Sequence, residues 1–478
     1  MSADWLSRYP PEQQALFRPP RCAIAVVKFT YATIGGLGEP TNATAALFIP
    51  SGLDPLCHGP RPLVLYAHGT AIDRSEDMAA VDTPHNPALR SARSIALIFA
   101  AQGYLVIAPN YAGYDRSTLS YAPYLNGEQQ SQDMLDALNA GQELLAQHPE
   151  PSWPNQQLFV TGYSQGGYVA LATLRALDRQ NRSATAGAAL SGPYALAAEA
   201  DEIFLGHASL GATVYLSMVA NSYAHMIHSN INLTSLFNPR FSTSPTLFPE
   251  VLPRAGFGSL VENNQIPMTA LFQSPPTGFE NPDILGQDLL NSIEFDPVNY
   301  LVRSTFRESY LSDVHSHPDG AAPPDGSRPD FTKQIPYQAD GPQNPMRQDL
   351  KRNDLRNYAP HMPLLLCGAN RDPEVFWDQG AATMQALLRE QARTNPSIQY
   401  GILDLDSVER SSSWASGGLS AKQDTFMRQM GPTLRDGFIA HEYHNPLNSM
   451  MLLFKEEGYH NAIAPYCIIA AREFFDQF

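Results

Sequence analysis

Positive charge is scarce in this chain. Against 47 Asp and Glu it carries 31 Lys and Arg, a formal net charge of −16, with no basic run anywhere. A nucleic-acid surface needs clustered Lys and Arg to displace counterions from phosphate, so the composition argues against such a partner. Long apolar runs are missing as well. The hydrophobic stretches are short and interrupted, and none reaches the roughly 20 residues that span a bilayer as a helix. Residues 1–20 have neither the basic start nor the apolar core of a secretory leader, and read as a proline-rich arm. Cysteine is limited to four in 478 residues, and no C-x-x-C pair exists, so neither a zinc ribbon nor a thioredoxin-type site is indicated. Internal repeats and low-complexity tracts are also absent. What remains is a chain with 43% hydrophobic residues, enough to fill a sizeable core.

Gly162-Tyr163-Ser164-Gln165-Gly166 is the most informative stretch. Leu158-Phe159-Val160-Thr161 before it is apolar and β-prone, while residues 167–177 after it are rich in Ala and Leu and read as a helix. Strand, G-x-S-x-G and helix form the context of a nucleophile elbow, which lifts a serine hydroxyl out of the sheet. Glycines two positions either side let strand and helix backbones pass in contact. The helix starting at Gln165 then directs unpaired N–H groups at an oxyanion formed on attack.

Partners follow in a consistent order. Pro62–Ala67 is a buried-strand run ending in His68-Gly69-Thr70, where the Thr70 amide can join that of Gln165 as an oxyanion donor. His68 reads as a structural histidine shaping that loop. Asp115 follows the apolar strand run Gly103–Gly113, which ends in a Pro/Gly turn, but precedes the serine and reads as a loop residue. Met362–Gly368 is another buried strand, leading to Asp372, a carboxylate in the turn where a triad acid belongs. Glu374, Asp404 and Asp406 are the alternatives, and all four acids also suit turns or helix caps. His460 directly precedes the last amphipathic helix and is the candidate base. His441 and His444 lack H-E-x-x-H spacing and read as a helix face. Asp313, His315, His317 and Asp319 gather in one loop; no metal site is assigned there.

Together, Tyr66–Thr70, Pro109–Tyr114, Gly162–Gly167, Gly368–Pro373 and Tyr459-His460 make the chain resemble the α/β-hydrolase superfamily. It is more narrowly similar to the secretory lipase group, which includes fungal lipase A-type enzymes and bacterial secreted esterases. The resemblance implies an α/β fold, a mostly parallel sheet covered by helices. A large, mainly helical cap is expected after the strand that follows the nucleophile helix. It divides the chain into an arm (1–20), a core (21–194 and 361–478) and the cap (195–360). The separation between Asp372 and His460 exceeds what a compact core of this family needs.

Cys22–Tyr31 and Ala43–Pro50 read as strands around a turn near Gly38-Glu39-Pro40. Cys22 and Cys57 lie nearly equidistant from that turn, so the hairpin could bring them together as a disulfide; Cys367 and Cys467 either pair or remain buried thiols. Paired cysteines tilt the expected compartment towards secretion or the periplasm, with the cytoplasm as the alternative. The reaction expected is ester hydrolysis through an acyl-enzyme on Ser164, with no cofactor and a small-molecule or lipid ester as the substrate. The rivals are a serine peptidase of the prolyl-oligopeptidase kind, whose usual propeller repeats are not visible, and a non-catalytic binding protein on the same fold.

Overall fold

The computed structural model describes residues 6–7, 14, 17–148, 151–207, 209–250, 257–275, 294–332, 334–442 and 458–478. Its strands are β1 (Ala23–Ile34), β2 (Pro40–Ser51), β3 (Gly59–Ala67), β4 (Leu105–Pro109), β5 (Ser152–Tyr163), β6 (Ala186–Leu190), β7 (Leu364–Gly368), β8 (Tyr400–Asp404) and β9 (Trp414–Gly417). They form one sheet in the order β1-β2-β4-β3-β5-β6-β7-β8-β9. From β4 to β8 every pairing is parallel, and antiparallel pairs close both edges. The opening hairpin pairs without interruption from Ala23↔Ser51 to Ile34↔Pro40, turning at Gly38 with φ 79°. Cys22 and Cys57, just outside it, are joined as a disulfide.

Helices α1 (Leu89–Ile98), α2 (Gly127–Gln147), α3 (Gln165–Arg179), α4 (Leu196–Leu205), α5 (Ala212–Ala224), α6 (Ser304–Ser316), α7 (Pro345–Asn353), α8 (Thr383–Thr394), α9 (Ala421–Glu442) and α10 (Tyr459–Phe475) cover the sheet or bridge its strands. Parallel strands buried on both faces read as continuous apolar runs whose side chains alternate between two cores. In β3, Leu63 and Leu65 join the core under α2 and α3, whereas Val64 and Tyr66 join the one under α1, α9 and α10. Each such fully buried side chain contributes ~1.5–3 kcal/mol. Local signals set two of the helix boundaries. Asn126 caps α2 by accepting from Gln129 N at 3.2 Å, so the helix begins at Gly127. In α1 the helix gives way to a 3-10 turn that Gly103, at φ 94°, terminates.

Between β6 and β7 the chain builds α4 to α7. Their apolar residues, among them Phe204, Leu216, Val219 and Leu350, belong to the same core as α2 and α3. Arg347 is buried between Asp201 (2.6 Å) and Asp313 (2.8 Å), tying α4, α6 and α7 together. Arg356 is held likewise by Asp319 (2.7 Å) and Asp354 (2.8 Å). These pairs correct the expectation of one acidic and histidine-rich loop. Asp313 and His315 lie in the last turns of α6, and Asp313 and Asp319 answer different arginines. Among the described residues no group of His, Cys, Asp and Glu is placed to hold a metal ion, and no helix is long and apolar enough to cross a membrane. On the opposite face a second disulfide, Cys367–Cys467, joins β7 to α10.

Candidate active site

Strand register gathers the site. Ala67, Gly162, Ala189, Leu366 and Ile402 are paired in succession across β3, β5, β6, β7 and β8. The residues that leave those carboxyl ends therefore emerge along one edge: Thr70, Ser164, Ser191, Asp372 and Asp404. Ligand sites of open α/β sheets occupy that edge.

Ser164 sits at φ 61°, ψ −127°, a region that side chains rarely occupy, and its N–H donates to Leu190 O at 2.9 Å. Such strain persists only where the surroundings over-determine it. Here they do so through two glycines. A Cβ at Gly162 would lie 2.3 Å from Gly166 O, and one at Gly166 only 2.1 Å from Ala67 O. The loop after β3 packs against the same turn, since a Cβ at Gly69 would stand 3.6 Å from that of Ser164. His68 is buried and stacked on Tyr111 at 4.1 Å, with its ring nitrogens at the Gly69 and Asn110 carbonyls, so it shapes the loop as expected. Neither the Thr70 nor the Gln165 backbone N–H donates to another protein group among the described residues.

Asp372 and His460 meet although 88 positions separate them. His460 Nδ1 donates to Asp372 Oδ2 at 2.6 Å, and Ser191 Oγ donates to the same oxygen at 2.9 Å. The other carboxylate oxygen accepts from the amides of Glu374 (3.0 Å) and Val375 (3.3 Å). Every lone-pair direction of the acid is thus directed. His460 is not in a loop but in the first turn of α10, and the Tyr163 hydroxyl donates to its carbonyl, fastening that turn beside the elbow. The neighbouring residue, Tyr459, donates to Asp406, which also accepts from Asn370 N at 2.6 Å. Asp404 and Asp406 therefore brace the acid loop and the base helix against each other. Burial, reinforced by Asp406, pushes Asp404 up to about 7. Asp115 pairs with Lys28 at 2.5 Å, away from these groups.

Ser164 and His460 are not hydrogen-bonded to each other in this structure. His460 Nε2 is buried without a partner among the described residues. Catalytic hydrogen bonds are often open in the absence of substrate and tighten with it. Burial disfavours a charged ring, but Asp372, Glu374 and Glu199 together outweigh it and lift His460 to about 9. Glu199 and Glu374 are themselves raised by burial, Glu199 to about 8.

Ser164, Gln165 and Thr70 open on a cavity whose remaining wall comes largely from α4 and α5 (Leu196, Ile203, Phe204, Leu216, Val219). Glu199, Glu374, Tyr124 and Tyr215 are polar members of its lining; His460 is not itself part of the wall. The sequence pointed to Ser164, Thr70, Gln165, Asp372 and His460, and left Glu374 as an alternative acid. It did not point to Glu199, Ser191, Tyr163 or Tyr215. Glu199 shares the helix Leu196–Leu205 with Asp201 and Glu202, and nothing local set it apart from them. His444 and the side chain of His441 lie outside the described residues.

The sequence model of one family, described as serine aminopeptidase S33, matches residues 88–248. No curated protein matches the chain. Among solved structures, a ligand-bound form of the rice cell wall degrading esterase LipA from Xanthomonas oryzae is similar. It is 24% identical over 91% of this chain and 93% of that one, with a TM-score of 0.62. A putative hydrolase from Legionella pneumophila is 18% identical over 93% of this chain and 96% of that one, at a TM-score of 0.58. Likeness at these identities speaks to architecture, and it agrees with the sheet order and the elbow. The chain is an α/β-hydrolase-fold protein.

Proposed function

We propose that this protein hydrolyses carboxylic esters with Ser164 as nucleophile, His460 as base and Asp372 as the acid that orients it. The observation that carries the reading is the 2.6 Å His460–Asp372 hydrogen bond beside a strained elbow serine that opens on an apolar cavity. His460 takes the Ser164 proton as the hydroxyl oxygen attacks the ester carbonyl, then returns it to the departing alcohol. Asp372 holds Nδ1 protonated so that Nε2 faces the reaction, and stabilises the imidazolium. The amides of Gln165 and Thr70 receive the negative oxygen of the tetrahedral intermediate, and water then cleaves the acyl-enzyme. Nothing in this sequence of steps calls for a cofactor.

The segment 195–360 acts in this reading as a cap that walls the acyl chain with the apolar residues of α4 and α5. That lining favours an ester over a peptide. Two disulfides fit an extracellular or periplasmic protein, the compartment we favour. The test is a p-nitrophenyl ester series of increasing chain length, with a triglyceride emulsion and a peptide anilide alongside, and labelling by a fluorophosphonate. Ester turnover and labelling, both lost in Ser164→Ala, are expected. Turnover that survives in the variant removes the serine from the mechanism, and preferential cleavage of the anilide favours the peptidase.

A further inference from the structure

Buried polar atoms without partners line the otherwise apolar cavity. Glu199 lies on α4 and is 5% exposed, and its Oε2 finds no partner among the described residues. Both ends of the Gln165 carboxamide, 2% exposed, are equally unpaired; His460 Nε2, outside the cavity wall, is unpaired too. Glu374 holds a single side-chain hydrogen bond, from the Tyr215 hydroxyl at 2.6 Å. A buried polar atom without a partner costs ~1–3 kcal/mol, so a cluster of them beside a reactive serine points to a ligand that answers them. No Lys or Arg is among the described residues lining the cavity.

We propose that Glu199 and Glu374 bind a cationic group on the alcohol half of the ester, so that the preferred substrates are esters of amino alcohols. The assignment rests on the esterase reading above. The alcohol half is chosen by the chemistry of departure. The leaving oxygen takes its proton from His460, so the groups clustered around that ring face the alcohol, while the apolar wall receives the acyl chain.

Charge supports the same conclusion. The groups that act on His460 are Asp372, Glu374 and Glu199, with Tyr163 at its carbonyl. Burial keeps Tyr163 and Tyr215 far above the usual phenol range, so they stay neutral. Those carboxylates make the His460 ring hold its proton more tightly than an ordinary imidazole does. A substrate cation beside the carboxylates would oppose that proton, freeing the ring, and would let Glu199 ionise. The carboxylates are thus arranged to hold one positive charge, and either the imidazolium or the substrate supplies it.

The test compares butyrylcholine with 3,3-dimethylbutyl butyrate, which share a shape and differ in one positive charge. The expected result is a kcat/KM for the choline ester at least tenfold higher, with the acidic limb of its kcat–pH profile about one unit lower. Glu199→Gln and Glu374→Gln should each compress the ratio towards one, whatever they do to the absolute rates. Choline alone should inhibit hydrolysis of the neutral ester competitively in the unmodified protein, a readout independent of how the variants fold. Equal rates overturn the proposal and leave the esterase standing. So does a preference for the glycerol ester monobutyrin, which would identify the carboxyls as neutral hydrogen-bond donors. Failure to hydrolyse any of these esters, or p-nitrophenyl butyrate, overturns the esterase reading itself.

Discussion

Replacing both cysteines of the Cys367–Cys467 bridge with alanine separates two roles of one bond. The bridge closes a loop of 100 residues, for which loop-closure entropy alone assigns about 4.7 kcal/mol to stability. The Cys22–Cys57 loop spans 35 residues, and the same relation gives about 3.8 kcal/mol. Both bridges lie in buried surroundings, so the two double variants are comparable. Urea unfolding at fixed pH, followed by tryptophan fluorescence, should therefore rank the Cys367→Ala/Cys467→Ala variant as the less stable. Its second effect is on activity. Cys367 ends the strand that leads to Asp372, and Cys467 lies two turns along the helix that begins with Tyr459-His460. Loosening that connection should lower kcat more than it raises KM, whereas the hairpin variant should lose stability with kcat preserved. A variant within about 1 kcal/mol of the parent would refute the reasoning, since it would mean that the second core alone fixes α10.

Two further outcomes are expected. Gly166→Ala puts a methyl group 2.1 Å from Ala67 O and 2.8 Å from His68 O; it should cost about 1–3 kcal/mol of stability and lower ester turnover roughly 100-fold, as the loop that carries Thr70 is displaced. A Gly166→Ala variant with unchanged melting temperature and rate would count against the close packing of the elbow. His460→Ala should reduce kcat by about 10⁴ or more while His441→Ala stays near the parent rate; the reverse pattern in a p-nitrophenyl butyrate assay would exchange the two bases.

The sequence made the serine and its flanks plain because an elbow is a local object: a strand, two glycines and a helix within twenty residues. The acid and base were legible as ends of elements, Asp372 beyond a buried strand and His460 before the last helix. Their meeting was not, because it depends on register across β5, β6 and β7 and on α10 packing into the opposite core. β9 escaped notice since Trp414-Ala415-Ser416-Gly417 is short and small, without apolar alternation. Glu199 was invisible for a different reason. One of three acids on its helix, with Asp201 and Glu202, it looks like a solvent-facing residue until the helix is seen to turn that side towards the cavity that Ser164 also lines.

The helices between β6 and β7 share one unbroken apolar mass with α2 and α3. Tyr168 of the elbow helix also donates to the Asn353 carbonyl at the end of α7, at 2.7 Å. Swinging those helices away as a body would strip that mass open to water. Such an opening would cost ~25 cal/mol for each Å² of apolar surface exposed, so in the esterase reading proposed above entry by small movements, a rotamer or a short stretch of loop, is the cheaper route. The width of that crack would then limit how bulky an ester reaches Ser164.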